Sequence, residues 1–218
     1  MPEWISSNLR AKLKPLAIAA LLFWLPVVLL ARIAAEVSER EPIPIDNAIL
    51  HWIHAHSSHA LDAFFLAVTT VGNAEIITPL ALLIVAFMWY RRRSDALILL
   101  FGFFGANTAS AGLKLLFARE RPAFWHSAIT ETSYSFPSGH AMASSALALS
   151  VIAVLWNTRW RWLALVGGGL FMGLIGFSRL YLGVHYPTDV IAGWMASLAW
   201  VVIVTKIIRG YVPREESV

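Results

Sequence analysis

Long apolar segments that carry almost no charge are the strongest constraint on how this chain can fold. Residues 16–31 and 190–205 contain no charged side chain, and 58% of the 218 residues are hydrophobic while only 14% are charged. Soluble domains contain about 25% charged residues. Continuous apolar runs are typical of membrane helices, whereas a membrane barrel would show segments of alternating polarity. We therefore predict an all-α, polytopic membrane protein.

Six such runs predict a bundle of six transmembrane helices, within a single membrane domain that covers residues 1–218. A helix needs about 20 residues to cross a bilayer, so the shorter runs must extend into their polar flanks. Between the first two runs, the polar stretch 36–59 and the amphipathic stretch 61–71 are expected to lie on the membrane surface. The six predicted spans are 15–35, 75–90, 96–113, 141–156, 162–177 and 190–208.

The distribution of charge predicts the topology, because cytoplasmic loops hold the excess of Lys and Arg. One side of the six-span arrangement holds eleven basic and four acidic residues, and the other holds six basic and nine acidic residues. The first side, with both termini, is therefore expected to be cytoplasmic. The excess of basic residues on the cytoplasmic side accounts for the net charge of +4, so we expect no nucleic-acid partner. The eleven basic residues are Arg10, Lys12, Lys14, Arg91, Arg92, Arg93, Arg159, Arg161, Lys206, Arg209 and Arg214.

The first apolar run allows one alternative interpretation. Arg10, Lys12 and Lys14 precede an apolar run that ends near Ala34 and Ala35, a pattern that also occurs in cleaved signal peptides. The run is long for such a signal. Its removal would leave the remaining loops on the same faces of the membrane.

Two loops on the predicted outer face carry ionisable residues beside apolar spans, where such residues are costly and indicate function. Lys114 and Arg121 are seven residues apart and would share one face of a helix that extends outward from the third span. Their charges could then converge on one anion. In the second loop, Arg179 offers a planar guanidinium suited to phosphate oxygens.

The segment Pro137, Ser138, Gly139, His140 immediately precedes the fourth apolar run and predicts the start of a helix. The unpaired N–H groups at a helix N-terminus favour an oxyanion on the amides of Ser138 and Gly139. Ser138 could add a hydroxyl donor, and His140 would lie beside a leaving oxygen that needs a proton. A phosphate would fit such a site.

His185 and Asp189 are four residues apart and suggest a nucleophile with its orienting carboxylate. Pro187 lies between them, which argues against one continuous helix and for a helix that begins near Pro187. In either arrangement Asp189 could reach one ring nitrogen of His185 and fix its tautomer. The other nitrogen would then be free to attack.

Three motifs together resemble the signature of the type 2 phosphatidic acid phosphatase family. All of their fixed positions match in order and spacing, within residues 114–122, 137–140 and 178–189. The motifs are Lys114-x6-Arg121-Pro122, Pro137-Ser138-Gly139-His140 and Ser178-Arg179-x5-His185-x3-Asp189.

This resemblance implies a lipid phosphatase that needs no metal and no other cofactor. It implies that His185 takes the phosphoryl group as a phosphohistidine, that Asp189 orients His185, and that His140 protonates the leaving oxygen. A set of donors would hold the phosphate and offset the charge that develops in the transition state. These donors are Lys114, Arg121, Ser138, Gly139 and Arg179.

The resemblance also implies a lipid phosphate or diphosphate as substrate, at the outer face of a bacterial cytoplasmic membrane. We expect undecaprenyl diphosphate, which would give undecaprenyl phosphate and phosphate. Phosphatidylglycerophosphate, phosphatidate and phosphate groups of lipid A remain alternatives, as does phosphotransfer to lipid A. The vanadium haloperoxidases share the anion site, but the apolar spans argue against them. A non-catalytic membrane protein would have no need for His140, His185 and Asp189 together.

Several other residues invite separate predictions. Four histidines lie within nine residues, at His51, His54, His56 and His59. They could hold a metal such as zinc or form part of a polar surface helix. No acidic or cysteine partner completes a recognisable ligand spacing, and the chain contains no cysteine at all. We expect Arg119 to be solvated, and Tyr181 and Tyr186 to be interfacial aromatic residues.

Overall fold

The computed structural model describes residues 3–212, with side chains at residue 18 and from residue 20 to residue 212. The predicted cytoplasmic residues Arg10, Lys12 and Lys14 lie outside the described side chains, and Arg214 lies outside the described residues. The described chain forms eight α-helices and no strand. They are α1 (Glu3–Ser38), α2 (Pro44–Ala55), α3 (His59–Val71), α4 (Ala74–Trp89), α5 (Arg93–Phe117), α6 (Gly139–Leu155), α7 (Arg161–Tyr181) and α8 (Pro187–Tyr211).

Each predicted span falls on one of these helices, but the count of six crossings is not exact. Four segments in residues 3–212 are long and apolar enough to cross a membrane alone: Ala20–Ser38 of α1, and the helices α5, α7 and α8. Helices α3 and α4 are long and apolar enough only when taken together, as a fifth segment that bends by 46° at the break between them. Helix α6 has 17 residues, so at 1.5 Å per residue it is shorter than the roughly 30 Å of a hydrocarbon core.

The short helix α6 lies inside the bundle, packed against α5, α7 and α8. Ala141, Ala143, Ala146 and Ala148 are buried on it, and such small side chains let neighbouring helices approach closely. Gly193 of α8 serves the same purpose opposite the start of α6. A Cβ on Gly193 would lie 3.1 Å from the carbonyl oxygen of Ser138, so the first turns of α6 and α8 are held together.

The helix boundaries confirm two predictions and contradict a third. Helix α6 begins at Gly139, with Ser138 as its N-cap, and α8 begins at Pro187. Helix α5 ends at Phe117, so Lys114 and Arg121 do not share a helical face and that prediction is wrong. Ala118 is left-handed, with φ of 44°, and Pro122 disfavours a helical conformation at Arg121.

Helices α2 and α3 follow α1 and precede α4 along the chain, and both pack against α7. Helix α3 covers the predicted amphipathic stretch 61–71, and it buries Phe65 and Thr69. The Phe65 ring contacts the rings of Phe177 and Tyr181 on α7. Thr69 thereby faces the end of α7 that carries Arg179.

Candidate active site

His185 and Asp189 form a buried pair at the loop between α7 and α8. His185 Nδ1 lies 3.4 Å from Asp189 Oδ2, and His185 Nε2 lies 3.0 Å from Arg121 Nη1. A guanidinium can only donate, so Nε2 is the acceptor and the ring proton is on Nδ1, facing the carboxylate. The unprotonated Nε2 therefore points away from Asp189 towards the cations.

The electrostatic environment keeps His185 neutral. Its side chain is 1% exposed, and burial lowers the pKa of His185 to about 3. Asp189 acts in the opposite direction, while the charges of Arg121 and Arg179 lower the pKa further. A neutral imidazole with an unprotonated Nε2 is the form that can act as a nucleophile.

Arg121 and Arg179 meet at a carboxylate that sequence reasoning missed, Glu131. Glu131 Oε1 accepts a hydrogen bond from Arg179 Nη2, and Glu131 Oε2 lies 3.5 Å from Arg121 Nη2. Burial would raise the pKa of Glu131, but Arg179 and Arg121 outweigh burial and lower it. An ionised carboxylate thus lies between two of the cations that were predicted to hold phosphate. No motif marks Glu131, because it lies in the irregular loop 118–138.

Arg179 is almost fully buried, at 1% exposure, and keeps an unused donor. Arg179 Nη1 donates to Thr69 Oγ1 at 2.5 Å. Among the described residues, Arg179 Nε has no hydrogen-bond partner. A buried donor without a partner costs free energy, so this site favours an additional acceptor such as a phosphate oxygen.

Lys114 approaches the start of α6 from the last turn of α5. A Cβ on Gly139 would lie 3.6 Å from Lys114 Cε. Lys114 Nζ donates to the Tyr134 carbonyl, which also accepts from Arg121 Nη2 at 3.4 Å. The loop carbonyl therefore brings the two basic residues of the first motif together even though they share no helical face.

Ser138 is used differently from the prediction. Its amide donates to the Asp189 carbonyl oxygen at 3.1 Å, so this N–H is engaged with the first turn of α8 and is not open to an anion. Its hydroxyl caps α6 by accepting from the Ala141 amide at 3.5 Å. The amide of Gly139 is the remaining predicted backbone donor.

His140 lies in the first turn of α6, beside the break between α3 and α4. His140 Nε2 lies 2.9 Å from Asn73 Oδ1, which assigns a proton to Nε2. Gly72, the residue before Asn73, is also close to this ring: a Cβ on Gly72 would lie 3.0 Å from His140 Cδ2. Asn73 therefore orients the ring of the predicted proton donor, a contact that no sequence signal indicated.

Arg119 is not solvated, so that prediction is wrong. Its side chain is 12% exposed and forms ion pairs of 2.6 Å with Asp189 Oδ1 and 2.9 Å with Asp46 Oδ2. Burial would lower the pKa of Arg119, but Asp189 and Asp46 outweigh burial and raise it. The centroid of the Tyr186 ring lies 4.0 Å from Cζ of the Arg119 guanidinium. Tyr181, expected at an interface, is instead buried, and its hydroxyl donates to Asp62 at 2.7 Å.

The histidine-rich segment runs from the second half of α2 to the start of α3. His54 stacks on Trp125 with ring centroids 4.0 Å apart, and the ring of His51 lies 4.8 Å from that of Phe124. Within the described part of the chain, no group of three or more His, Cys, Asp or Glu residues could hold a metal ion. His51 and His54 thus pack against aromatic side chains of the loop 118–138, whereas the ring of His56 contacts that of Trp52 in α2.

This combination of a neutral histidine, its carboxylate and a cluster of cations occurs in a segment that matches a known family. The profile of the PAP2 superfamily matches residues 95–212, which include every predicted site residue. The chain belongs to the PAP2 superfamily. The resemblance seen in the three sequence motifs is thereby confirmed.

PAP2 phosphatases with known names are similar over most of this chain. Phosphatidylglycerophosphatase B of Bacillus subtilis (strain 168) is 33% identical over 145 residues, 63% of this chain and 70% of that protein. The undecaprenyl-diphosphatase of Sulfolobus acidocaldarius is 30% identical over 146 residues, 65% of this chain and 67% of that protein. The chain is therefore a lipid phosphatase of the PAP2 family, a hydrolase of phosphoric esters.

Solved structures support the same fold. The transmembrane PAP2-type phosphatidylglycerolphosphate phosphatase from Bacillus subtilis superposes with a TM-score of 0.71 at 26% identity, covering 85% of this chain and 94% of that one. LpxE of Aquifex aeolicus superposes with a TM-score of 0.62 at 24% identity, over 76% of this chain and 98% of that one, and shows the fold alone. The predicted all-α, multi-pass membrane architecture is confirmed.

Proposed function

We propose that this PAP2 protein removes a phosphate from a lipid diphosphate or lipid phosphate through a phosphohistidine on His185. The observation that supports this proposal most is the orientation of His185. Its Nδ1 faces Asp189, and its unprotonated Nε2 faces Arg121, on the cationic side of the ring. A phosphate held by these cations would meet the lone pair of the nucleophile.

In the proposed reaction, His185 Nε2 forms a bond to phosphorus while the bond from phosphorus to the lipid oxygen breaks. His140, protonated on both ring nitrogens when the substrate is bound, keeps its Nε2 proton on Asn73 and gives its Nδ1 proton to that leaving oxygen. Water then attacks the phosphohistidine: its oxygen bonds to phosphorus, the bond from phosphorus to His185 Nε2 breaks, His140 Nδ1 takes a proton from the water, and inorganic phosphate leaves. Lys114, Arg121 and Arg179, with the Ser138 hydroxyl and the Gly139 amide, hold the phosphate. They offset the charge of the transition state, where phosphoryl transfer is mainly accelerated.

Undecaprenyl diphosphate is the substrate we propose first, with undecaprenyl phosphate and phosphate as products. A relative named undecaprenyl-diphosphatase, 30% identical to this chain, supports it. Phosphatidylglycerophosphate is a second candidate, because the relative that is 33% identical and the structure with a TM-score of 0.71 are both named for that activity.

We further propose that residues 1–218 act as one membrane domain in a bacterial cytoplasmic membrane, with both termini in the cytoplasm and the site facing outwards. The ends of the helices support this orientation. Arg93 and Arg161 lie at the first turns of α5 and α7, whereas Lys114 and Arg179 lie in their last turns. The positive-inside rule favours a cytoplasmic location for the first turns of α5 and α7.

Phosphate release by the purified protein in detergent tests the reaction. We expect release from undecaprenyl diphosphate in the presence of EDTA, and an acid-labile phosphoenzyme in rapid-quench experiments. The variant His185→Ala should lose both, while His126→Ala, an exposed histidine of the loop 118–138, should retain both. Full activity of His185→Ala would refute the mechanism. Assays at matched concentrations of phosphatidylglycerophosphate, phosphatidate and lipid A would rank the substrates.

A further inference from the structure

Asp189 is held by a dense set of donors on the side of His185 that faces away from the cations of the site. Its carboxylate is fully buried. Oδ2 accepts from the Tyr186 amide at 2.9 Å and from the Ser135 hydroxyl, and lies 3.4 Å from His185 Nδ1. Oδ1 accepts from Arg119 Nη1 at 2.6 Å. The two oxygens thus have separate partners, with Arg119 on one and the histidine on the other.

Arg119 is itself fixed by a second buried carboxylate. Asp46, in the first turn of α2, accepts from Arg119 Nη2 at 2.9 Å and is fully buried. Asp46 also accepts from the amide of Thr188 at 2.9 Å and from its hydroxyl at 2.5 Å. This contact ties α2 to the first turn of α8, one residue before Asp189. Arg119 therefore cannot swing away from Asp189 without leaving Asp46 buried and unpaired, which is strongly unfavourable.

We propose that Arg119, held by Asp46, is a positioning residue for the phosphatase reaction. By binding Oδ1 of Asp189, it fixes the rotation of the carboxylate so that Oδ2 faces His185 Nδ1. This keeps the ring proton on Nδ1 and the lone pair of Nε2 directed at phosphorus. The inference rests on the proposed role of His185 as nucleophile.

Arg119 differs from the phosphate-binding cations in what it touches. Its two terminal nitrogens are engaged by Asp46, Asp189 and Thr188, and the Tyr186 ring covers the guanidinium. Arg121, by contrast, contacts His185 Nε2, the atom that would bond to phosphorus. Loss of Arg119 should therefore slow the chemical step and leave phosphate binding intact.

The test compares Arg119→Gln with Arg119→Lys and Asp46→Asn, using kcat, KM and the affinity for inorganic phosphate. We expect Arg119→Gln to lower kcat by about 10- to 100-fold, by analogy with the loss found when the carboxylate or carbonyl partner of a metal-ligating histidine is removed. KM and the phosphate Kd should change less than about twofold. Arg119→Lys should recover part of the rate, since it restores the charge. Arg40→Gln, which changes an exposed arginine between α1 and α2, is the matched control and should behave as wild type.

A double variant separates positioning from a general structural effect. If Arg119 acts through Asp189, then Arg119→Gln should cause no further loss of kcat in an Asp189→Asn background. Additive losses, or phosphate affinity that falls together with kcat, would overturn the proposal. If Arg119→Gln does not fold, Asp46→Asn and Arg119→Lys are tested against Asp189→Asn in the same way. His185→Ala is measured alongside, because activity in that variant would reject the proposed function rather than the role of Arg119.

Discussion

Glu131 occupies the position between Arg121 and Arg179 that a phosphate is proposed to take, which makes Glu131→Gln an informative perturbation. Its carboxylate is 23% exposed, while its partner Arg179 is 1% exposed. Phosphate must displace this carboxylate before it can contact both arginines. Glutamine has nearly the same size but no charge, so it should compete far less.

The structure sets the expected magnitude. A hydrogen bond that involves charged groups contributes about 1.5–3 kcal/mol, as for the contact between Glu131 and Arg179. The second contact, 3.5 Å long to Arg121, is partly exposed and contributes about 0–1 kcal/mol. The glutamine amide oxygen can still accept from Arg179, so Glu131→Gln loses only the difference from a neutral hydrogen bond of about 0.5–1.5 kcal/mol, that is about 1–1.5 kcal/mol. Since every 1.4 kcal/mol corresponds to about a factor of ten, phosphate binding should tighten by about 5- to 12-fold.

The assay is competitive inhibition by inorganic phosphate, checked by calorimetric titration of phosphate into the detergent-solubilised protein. Glu120→Gln removes the same charge from an exposed position of the same loop, and controls for the change in net charge. We expect phosphate to bind more tightly to Glu131→Gln than to Glu120→Gln. Equal affinities would show that Glu131 does not compete with phosphate. Weaker binding to Glu131→Gln would show that the carboxylate instead arranges the arginines.

Three further predictions concern the nucleophile, the proton donor and the packing of the site. Because the pKa of His185 is lowered to about 3, its neutral form persists well below the ordinary value of about 6.5. Phosphoenzyme formation in single-turnover experiments should then show no loss of rate near pH 6.5 that is due to His185. Asn73→Ala removes the acceptor at His140 Nε2 and should lower kcat by about tenfold in steady-state assays. Gly193→Ala should lower the unfolding temperature and kcat together, because its Cβ would press on the Ser138 carbonyl.

The fold class and helix positions could be predicted because the signals are local. An apolar run is a property of consecutive residues, and each predicted span falls on an observed helix. Whether such a helix crosses the membrane alone depends on its length and surroundings. Helix α6 shows the difference, since it is short and its small residues are buried among three other helices.

The catalytic motifs were also local, but their partners were not. Thr69 binds Arg179 across 110 positions of the chain, and Asp46 binds Thr188 across 142 positions. No periodic pattern connects such residues. The loop that carries Glu131 has no regular structure, so its path could not be derived from spacing. The same limit explains the wrong prediction of a shared helical face, because the chain turns at Ala118.

Arg119 illustrates a different limit. In sequence it resembles Lys114, Arg121 and Arg179, because all four are basic residues on the predicted outer face. The motif pattern set Arg119 apart from the other three but predicted only a solvated side chain for it. Arg119 is enclosed by two carboxylates, whereas Arg179 keeps a buried Nε donor without a partner in the described residues. The motifs therefore identified the proposed phosphate-binding cations, and only the geometry showed what Arg119 contacts.

The two groups of charges act on opposite nitrogens of one imidazole. On the Nε2 side, three cations face one carboxylate, a net charge of +2: Lys114, Arg121 and Arg179 against Glu131. On the Nδ1 side, two carboxylates face one cation, a net charge of −1: Asp46 and Asp189 against Arg119. This field attracts an anionic phosphate to Nε2 and favours the proton on Nδ1. Asp189, on the Nδ1 side, stabilises the positive charge that the ring acquires as phosphorus bonds to Nε2, so the cations bind the substrate while the carboxylate lowers the barrier to its transfer.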